Sequence, residues 1–441
     1  MDYNLTKKLG KQRYRIALVV ILAAMVPFAA SWMKPAGVVA AREAENRAVP
    51  DSLFPSYTQP EWAMLVDSAA NVIVDSTGML APFLEKMEAL QTGGSGTVSI
   101  LHIGDSHIQA GFMTNRIREQ FQGDFGNAGR GLIVPHRMAR MNEARDYALT
   151  TPYGYKTQKA TERGIEGKLG FTGIAVTFET PYNEFKIKSN EPFNNVTVFH
   201  HPGAPALCEP DELSIGTYCT IENTPGSTRI NLMECVDSLM VSGFTTASFN
   251  TPTFYGFSLE NGQPGVLYHA AGINGAAFEH FINNTTIAEG GAAPLCPDLI
   301  VVSLGTNNCF GSNFRRGQMY NCVDGFIRSL KKSYPGVPVL MTTPMESCNR
   351  KSTRGRRTYT PNPNVVEGAE VVAEAARDNE VAYWDFYNAV GGEKVMESWF
   401  AKGLANTDRI HLTEKGYVLQ GEMFYEAFAR LYNEFINREE R

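Results

Sequence analysis

The sequence contains no long block of residues of one charge. Its 441 residues include 40 Lys and Arg and 46 Asp and Glu, which gives a net charge of −6. A nucleic-acid-binding protein usually concentrates Lys and Arg on one face, so this balance gives no support for a nucleic-acid partner. Repeats with a period of about 20 to 50 residues are not visible, which argues against solenoids and propellers.

Cysteine is also scarce. The seven residues are Cys208, Cys219, Cys235, Cys296, Cys309, Cys322 and Cys348. None belongs to a CxxC pair or to a Cys/His cluster with the spacing of a zinc site, and so few scattered thiols do not make a disulfide scaffold. The pair His200-His201 has no third ligand at a helpful spacing, so packing is favoured over metal binding. We therefore expect neither a metal nor another cofactor.

One long apolar run lies close to the N-terminus. Five basic residues precede the uncharged residues 16–33: Lys7, Lys8, Lys11, Arg13 and Arg15. A positive flank before an apolar run is typical of export with the N-terminus left inside. The run reaches the length of a membrane span, and cleavage sites are also present, so residues 1–33 are either a membrane anchor or a signal peptide. Both interpretations place the rest of the chain in the periplasm or cell envelope; a buried core helix is the third.

The remaining chain divides by its periodicity. Residues 34–94 predict a tether followed by a packing helix, with helical periodicity over 71–90. Strand-like runs alternate with helical patterns at 95–130 and 263–441, which predicts an α/β domain with a parallel sheet. Short alternating runs separated by Gly, Pro and Asn fill 131–262 and predict an antiparallel, sandwich-like β insertion. Such insertions are tolerated in loops at the carboxyl edge of a sheet, where ligands bind.

Polar residues follow several of the predicted strands. Ser106 stands in ILHIGDSHIQAG, between a buried strand and an amphipathic helical pattern. Such a turn is suited to a nucleophile, although Asp or Ser there is also an ordinary helix N-cap. Asn307 ends another strand in GTNN, and Gly275 lies in the tight turn GINGA. Asp408 precedes His411 by three residues, just before the last helix.

These residue types together fit acyl-transfer chemistry. A serine hydroxyl becomes nucleophilic when a neutral imidazole accepts its proton, and a carboxylate fixes the imidazole tautomer. Attack on a carbonyl also creates an oxyanion that needs N–H donors. The Ser106 and Gly275 backbone N–H groups and the Asn307 side-chain amide are the candidates.

The motifs GDSH, GINGA, GTNN and DRIHLT, in this order, resemble the blocks of the SGNH hydrolases. The resemblance covers about residues 98–130 and 266–437 and implies a three-layer α/β/α fold and a serine esterase. It assigns Ser106 as nucleophile, Asp408 and His411 as its acid and base partners, and Ser106, Gly275 and Asn307 as the oxyanion hole.

Two positions depart from many members of that family. His107 stands where Leu is common, and Asn308 where Asp is common. For His107, capping or packing is favoured over a role as a second base. The GDSH form with a β module between the first two blocks resembles the bacterial peptidoglycan O-acetylesterases, whose module resembles a carbohydrate-binding module. This implies an insertion beside the active-site edge that contributes to glycan recognition; a purely structural cover is the alternative.

The candidate residues and the family resemblance are consistent with three functions. The leading one is an exported esterase that removes O-acetyl groups from peptidoglycan or another envelope glycan through an acetyl-Ser106 intermediate. An O-acetyltransferase that passes the acetyl group to a sugar hydroxyl uses the same residues. A non-catalytic glycan-binding protein is third, and the complete set of proton-relay residues argues against it.

Two further features are ambiguous. The Arg-rich run at 349–362 follows a strand on the active-site side; it either holds an anionic glycan or is a solvated charged loop. Trp384, Trp399 and Tyr417 are favoured as core aromatics over a sugar-binding platform.

Overall fold

A computed structural model describes residues 53, 65–165, 167–202, 209–210, 219–244, 252–353 and 356–438. The predicted signal or anchor segment at 1–33 and most of the tether lie outside the described residues. Within the described part of the chain, no helix has the length and apolar character needed to cross a membrane.

The helices and strands alternate along most of this part of the chain. The helices are α1 (Ala81–Gln91), α2 (Ser106–Gln109), α3 (Phe112–Phe125), α4 (Phe278–Asn284), α5 (Arg316–Ser333), α6 (Pro363–Asp378), α7 (Phe386–Ala389), α8 (Val395–Ala401) and α9 (Glu414–Arg438). The first strands are β1 (Ile73–Val74), β2 (Thr97–Gly104), β3 (Gly131–Ile133), β4 (Tyr147–Thr150), β5 (Tyr155–Lys159), β6 (Ile174–Phe178), β7 (Tyr182–His200) and β8 (Glu209–Pro210). The later strands are β9 (Cys219–Thr224), β10 (Ser227–Phe244), β11 (Thr253–Glu260), β12 (Gly265–Gly272), β13 (Leu299–Ser303), β14 (Val339–Thr342), β15 (Cys348–Thr353), β16 (Arg356–Pro361) and β17 (Ala382–Trp384).

The first sheet has the order β1-β17-β14-β13-β2-β12. Its strands are parallel except for β1, which pairs antiparallel with β17. Successive side chains of a strand point to opposite faces, so Ile100 and Leu101 enter different hydrophobic cores. Helices α1, α3 and α9 pack on the Ile100 face and α4, α5 and α6 on the Leu101 face. The α/β prediction is confirmed as three layers.

The segment before β2 differs from the prediction of one continuous helix over 71–90. Residues Ile73–Val74 form the short edge strand β1, and the helix begins only at Ala81. Gly78 has a φ of 71°, a left-handed conformation that ends any helical path, and a proline stands in the first turn of α1. The apolar residues before Gly78 pack as a sheet edge instead.

A second, antiparallel sheet of nine strands lies between α3 and β12 in the chain. Its longest strand, β7, pairs with β10 on one edge and with β4 and then β11 on the other. This sheet has a core of its own around Phe185 and Phe257. It also contributes Leu132, Phe171 and Tyr255 to the core on the Leu101 face of the first sheet. The two sheets are therefore packed together through shared apolar contacts.

Candidate active site

Ser106 begins the short helix α2, directly after β2 ends at Gly104. The preceding Asp105 is the N-cap, and its side chain accepts a hydrogen bond from the His107 N–H at 2.9 Å. The sequence allowed Ser106 to be either a nucleophile or a cap. In the structure Asp105 performs the capping, which leaves the Ser106 hydroxyl available for another partner.

That partner is His411. Ser106 Oγ lies 2.9 Å from His411 Nε2, and His411 Nδ1 lies 2.7 Å from Asp408 Oδ2. The second oxygen of Asp408 accepts the backbone N–H groups of Ile410 and His411 at 2.9 and 3.0 Å. The carboxylate is thus fixed by its own loop, and it holds the imidazole with Nε2 toward the serine.

The electrostatics of this chain of contacts suit a proton relay. Burial acts to raise the pKa of Asp408, but hydrogen bonds from the His411 ring and from the backbone of His411 and Ile410 outweigh it and lower that pKa to about 2. The same bond to Asp408 raises the pKa of His411, against the opposing effect of burial. Asp408 therefore stays ionised, and His411 is a stronger base than an ordinary histidine.

The turn after β12 lies against α2. An added Cβ at Gly272 would stand 2.3 Å from the Gln109 N, so only glycine permits this approach. Gly275 has a φ of 75° with open space around it, so its need for glycine is conformational. Gly272 thus serves the close approach of β12 to α2, whereas Gly275 serves the conformation of the turn.

We predict that Gly272→Ala lowers the free energy of unfolding by about 1 to 3 kcal/mol, because the methyl group overpacks a rigid backbone contact. Urea denaturation measures the change. Gly325→Ala is the matched control: it lies inside α5 with no atom within 4 Å of its added Cβ, and helix propensity favours alanine by up to about 1 kcal/mol. Equal stability of the Gly272 variant and the wild type would contradict the contact.

Asn307 joins three parts of the site. Its Nδ2 donates to the Ala276 carbonyl at 2.8 Å and to Asp105 Oδ2 at 3.2 Å. Both amide hydrogens of Asn307 therefore already donate hydrogen bonds. To stabilise an oxyanion, this amide has to give up one of them, and the bond to Asp105 is the longer. Burial raises the pKa of Asp105, against nearby His107 and His411. The sequence indicates Asp105 only as a helix cap, and no local pattern predicts its contact with Asn307.

The two positions that depart from the family pattern have structural partners. His107 Nδ1 lies 3.0 Å from the Tyr417 hydroxyl, and its ring centre is 5.4 Å from that of His411. Burial lowers the pKa of His107. Asn308 accepts from the Phe278 N–H at 3.3 Å and donates to Glu279 at 2.8 Å, so it fixes the start of α4. Tyr417, expected in the core, is buried but also orients His107.

The second sheet supplies a loop to this edge. In the segment between β3 and β4, His136 Nε2 bonds the Gly272 carbonyl at 2.9 Å. Gln109, on the same helix as Ser106, donates to the Asn142 carbonyl. Sequence patterns could not identify these contacts, because each joins segments that lie far apart in the chain.

The other residues singled out from the sequence lie elsewhere. His200 is buried in the second sheet and bonds Thr228 Oγ1 at 3.1 Å. Among the described residues no group of three His, Cys, Asp or Glu is placed to bind a metal. Trp384 and Trp399 are fully buried, as expected of core aromatics.

One protein family is similar to part of the chain. Residues 237–419 match the model of the GDSL-like lipase/acylhydrolase family. The match includes Gly275, Asn307, Asp408 and His411, and begins after Ser106. This part of the chain is therefore similar to a GDSL-like lipase/acylhydrolase domain. The SGNH hydrolase resemblance drawn from the motifs is thereby confirmed.

Solved structures show how far the likeness extends. One described as a peptidoglycan O-acetylesterase in action has a TM-score of 0.68 and 20% identity, covering 82% of this chain and 99% of the other. This coverage exceeds the share of the chain that lies outside residues 131–262, so the shared fold includes part of the second sheet. A putative GDSL-like lipase from Parabacteroides merdae has a TM-score of 0.30 and 16% identity, covering 37% of this chain and 72% of its own. No curated protein matches the chain.

Proposed function

We propose that this protein is a serine O-acetylesterase that acts on an acetylated glycan of the bacterial cell envelope, with peptidoglycan as the first candidate. The contact series from Ser106 through His411 to Asp408 carries the proposal, because each atom is placed for proton transfer and carbonyl attack. The fold shared with a peptidoglycan O-acetylesterase supports the choice of substrate.

In the first half of the reaction, His411 Nε2 takes the Ser106 proton while Oγ attacks the acetyl carbonyl carbon. The carbonyl electron pair moves to oxygen and creates an oxyanion. The backbone N–H groups of Ser106 and Gly275 and the side-chain amide of Asn307 stabilise this oxyanion. When the carbonyl re-forms, the C–O bond to the sugar breaks, and the imidazolium returns its proton to the leaving sugar oxygen. The products are the free sugar hydroxyl and acetyl-Ser106.

In the second half, water replaces the sugar. His411 takes a proton from the water, whose oxygen attacks the acetyl carbon, and Ser106 leaves as the imidazolium protonates Oγ. Acetate is released and the enzyme is restored. Transfer to a second sugar differs only in that a sugar hydroxyl replaces the water.

A direct test compares three incubations. The protein without residues 1–33 is incubated with 4-nitrophenyl acetate, with O-acetylated peptidoglycan, and with the same ester plus a chito-oligosaccharide acceptor. Release of acetate from the glycan is expected. Acetylated oligosaccharide with little free acetate would indicate a transferase, and binding without turnover would leave only the glycan-binding alternative.

The pH profile should report His411. Because the bond to Asp408 raises the pKa of His411, and the base must be neutral to act, kcat/KM for 4-nitrophenyl acetate should fall as the pH drops through that raised value. We expect the midpoint of the acidic limb above 6.5, the ordinary histidine value. A profile that is flat down to about pH 5 would contradict His411 as the base.

We also propose that the N-terminal segment directs export and either anchors the protein or is cleaved. The basic flank and the apolar residues 16–33 support this. Cell fractionation of the full chain distinguishes the outcomes, since an anchored protein stays with the membrane and a cleaved one appears in the soluble envelope fraction. Retention in the cytoplasm would contradict export.

A further inference from the structure

Residues 349–353 and 356–361 of the basic run lie in the paired antiparallel strands β15 and β16, here called the hairpin. Its residues Arg350, Lys351, Arg356 and Arg357 are all exposed, and the hairpin sequence 348–361 contains no Asp or Glu. Within the part of the chain that the structure describes, none of these four side chains forms an ion pair. Uncompensated positive charge is therefore concentrated on one projection of a protein whose net charge is −6.

The pairing register divides these charges between two faces. Arg350 is paired with Tyr359, and Ser352 with Arg357. Directly opposed residues project from the same side of an antiparallel pair, and so do residues two apart along a strand. Arg350, Arg357 and Tyr359 therefore share one face of the hairpin, here called the inner face. Lys351 and Arg356 project from the outer face.

The inner face is turned toward the loop that carries the proposed acid and base. The ring centre of Tyr359 lies 4.9 Å from the Arg409 guanidinium, and Arg409 stands between Asp408 and His411 in the sequence. The base of the hairpin is tied to the same loop, since the Cys348 N–H donates to the Arg409 carbonyl at 2.9 Å. The nearby carboxylates are already engaged: Glu397 pairs with Arg409 and Asp408 with His411.

The strand order gives the approximate distance between the end of β14, which leads to the hairpin, and the end of β2, which leads to Ser106. The hairpin follows β14, which is separated from β2 by β13 alone. With strands about 4.8 Å apart, β14 ends roughly 10 Å from the strand that leads to Ser106. This distance is short enough for a polymer whose acetyl group lies at Ser106 to contact the hairpin as well.

We propose that the inner face of the β15–β16 hairpin binds carboxylate groups of the polymer, so that the substrate is a polyanionic acetylated glycan. This inference rests on the proposed esterase function and adds the charge class of the substrate. Arg350 and Arg357 supply guanidinium groups, which match the planar geometry of a carboxylate. The contacts are solvent-exposed, so they act on polymer capture and weaken with salt.

The test uses Arg350→Gln/Arg357→Gln, with Lys351→Gln/Arg356→Gln as a matched control that removes the same charge from the outer face. The substrates are O-acetylated polygalacturonate, which carries carboxylates, and O-acetylated glucomannan, which is neutral. The inner-face variant should raise KM for the anionic polymer by about fourfold at low salt, since each of the two exposed ion pairs contributes a factor of roughly two. Its kcat, and its KM for glucomannan, should stay unchanged.

A binding measurement provides a readout that does not depend on turnover. Polygalacturonate without acetyl groups should bind the wild type and lose affinity in the inner-face variant, with the difference removed at about 1 M salt. Equal losses in the inner- and outer-face variants would overturn the inference in favour of general charge attraction. Binding to phosphatidylglycerol vesicles but not to the polysaccharide would overturn it in favour of a membrane surface.

The two proposals fail in different ways. If 4-nitrophenyl acetate, O-acetylated peptidoglycan and both polymers are left intact, the esterase proposal is wrong, whatever the hairpin binds. If these esters are hydrolysed and the inner-face variant matches the wild type on both polymers and in the binding measurement, the esterase proposal stands and the hairpin inference is wrong.

Discussion

Ser106→Ala should reduce kcat/KM for 4-nitrophenyl acetate by at least about 10⁴-fold. The substitution removes the atom that forms the acetyl intermediate, and members of such a relay act as one unit, so loss of the nucleophile removes nearly the whole chemical advantage. Initial rates with the purified protein measure the loss, and circular dichroism checks that the fold is retained.

The control for this variant is Ser312→Ala. Ser312 is exposed in the segment after β13 and has no part in the proposed relay, so its variant should keep the wild-type rate. Ordinary turnover by Ser106→Ala would exclude the acetyl-Ser106 intermediate. Mass spectrometry after rapid quenching adds a positive test, since an acetyl group should be found on the peptide that contains Ser106.

Asp408→Asn should reduce kcat by about 10³- to 10⁴-fold while leaving the shape of the site intact. Asparagine presents an amide where the carboxylate accepted a hydrogen bond from His411 Nδ1, so the ring is no longer held in the reactive tautomer. The carboxylate also raises the pKa of His411. The acidic limb of the residual activity should therefore move to lower pH than in the wild type.

Asp385→Asn provides the comparison for Asp408→Asn. Asp385 caps α7 at the end of β17, where asparagine is an equally good cap, so neither the rate nor the pH limb should change. An acidic limb at the same pH in Asp408→Asn and in the wild type would show that the limb reports another group than His411.

The contribution of the second sheet to glycan recognition cannot be tested by deleting the sheet. Its residues Leu132, Phe171 and Tyr255 belong to the core on one face of the first sheet, so replacing 131–262 with a short linker would expose apolar surface. Point substitutions in the loop that holds His136 and Asn142 avoid this problem. A role of this sheet in glycan recognition stays a prediction, as do the domain boundaries.

Short sequence patterns predict much of the fold. Strands such as β2 and β13 are continuous apolar runs and α6 has clear helical periodicity, so their type follows from short stretches of sequence. The motifs at the ends of two predicted parallel strands also indicated that Ser106 and Asn307 lie at one edge, because parallel strands bring their carboxyl ends together. The helix predicted over 71–90 was partly wrong because β1 depends on a distant partner, β17.

The sequence by itself determined the α/β class, the GDSL-like motifs and the residue types of the candidate site, since each depends on periodicity or on a short motif. Only the tertiary structure decided which atoms meet: Ser106 with His411 across 305 positions of chain, Asn307 with Asp105, and His107 with Tyr417. It also decided that the basic run is a hairpin with an inner face beside Arg409. Such contacts join side chains brought together by packing of the whole chain, and no local preference specifies them.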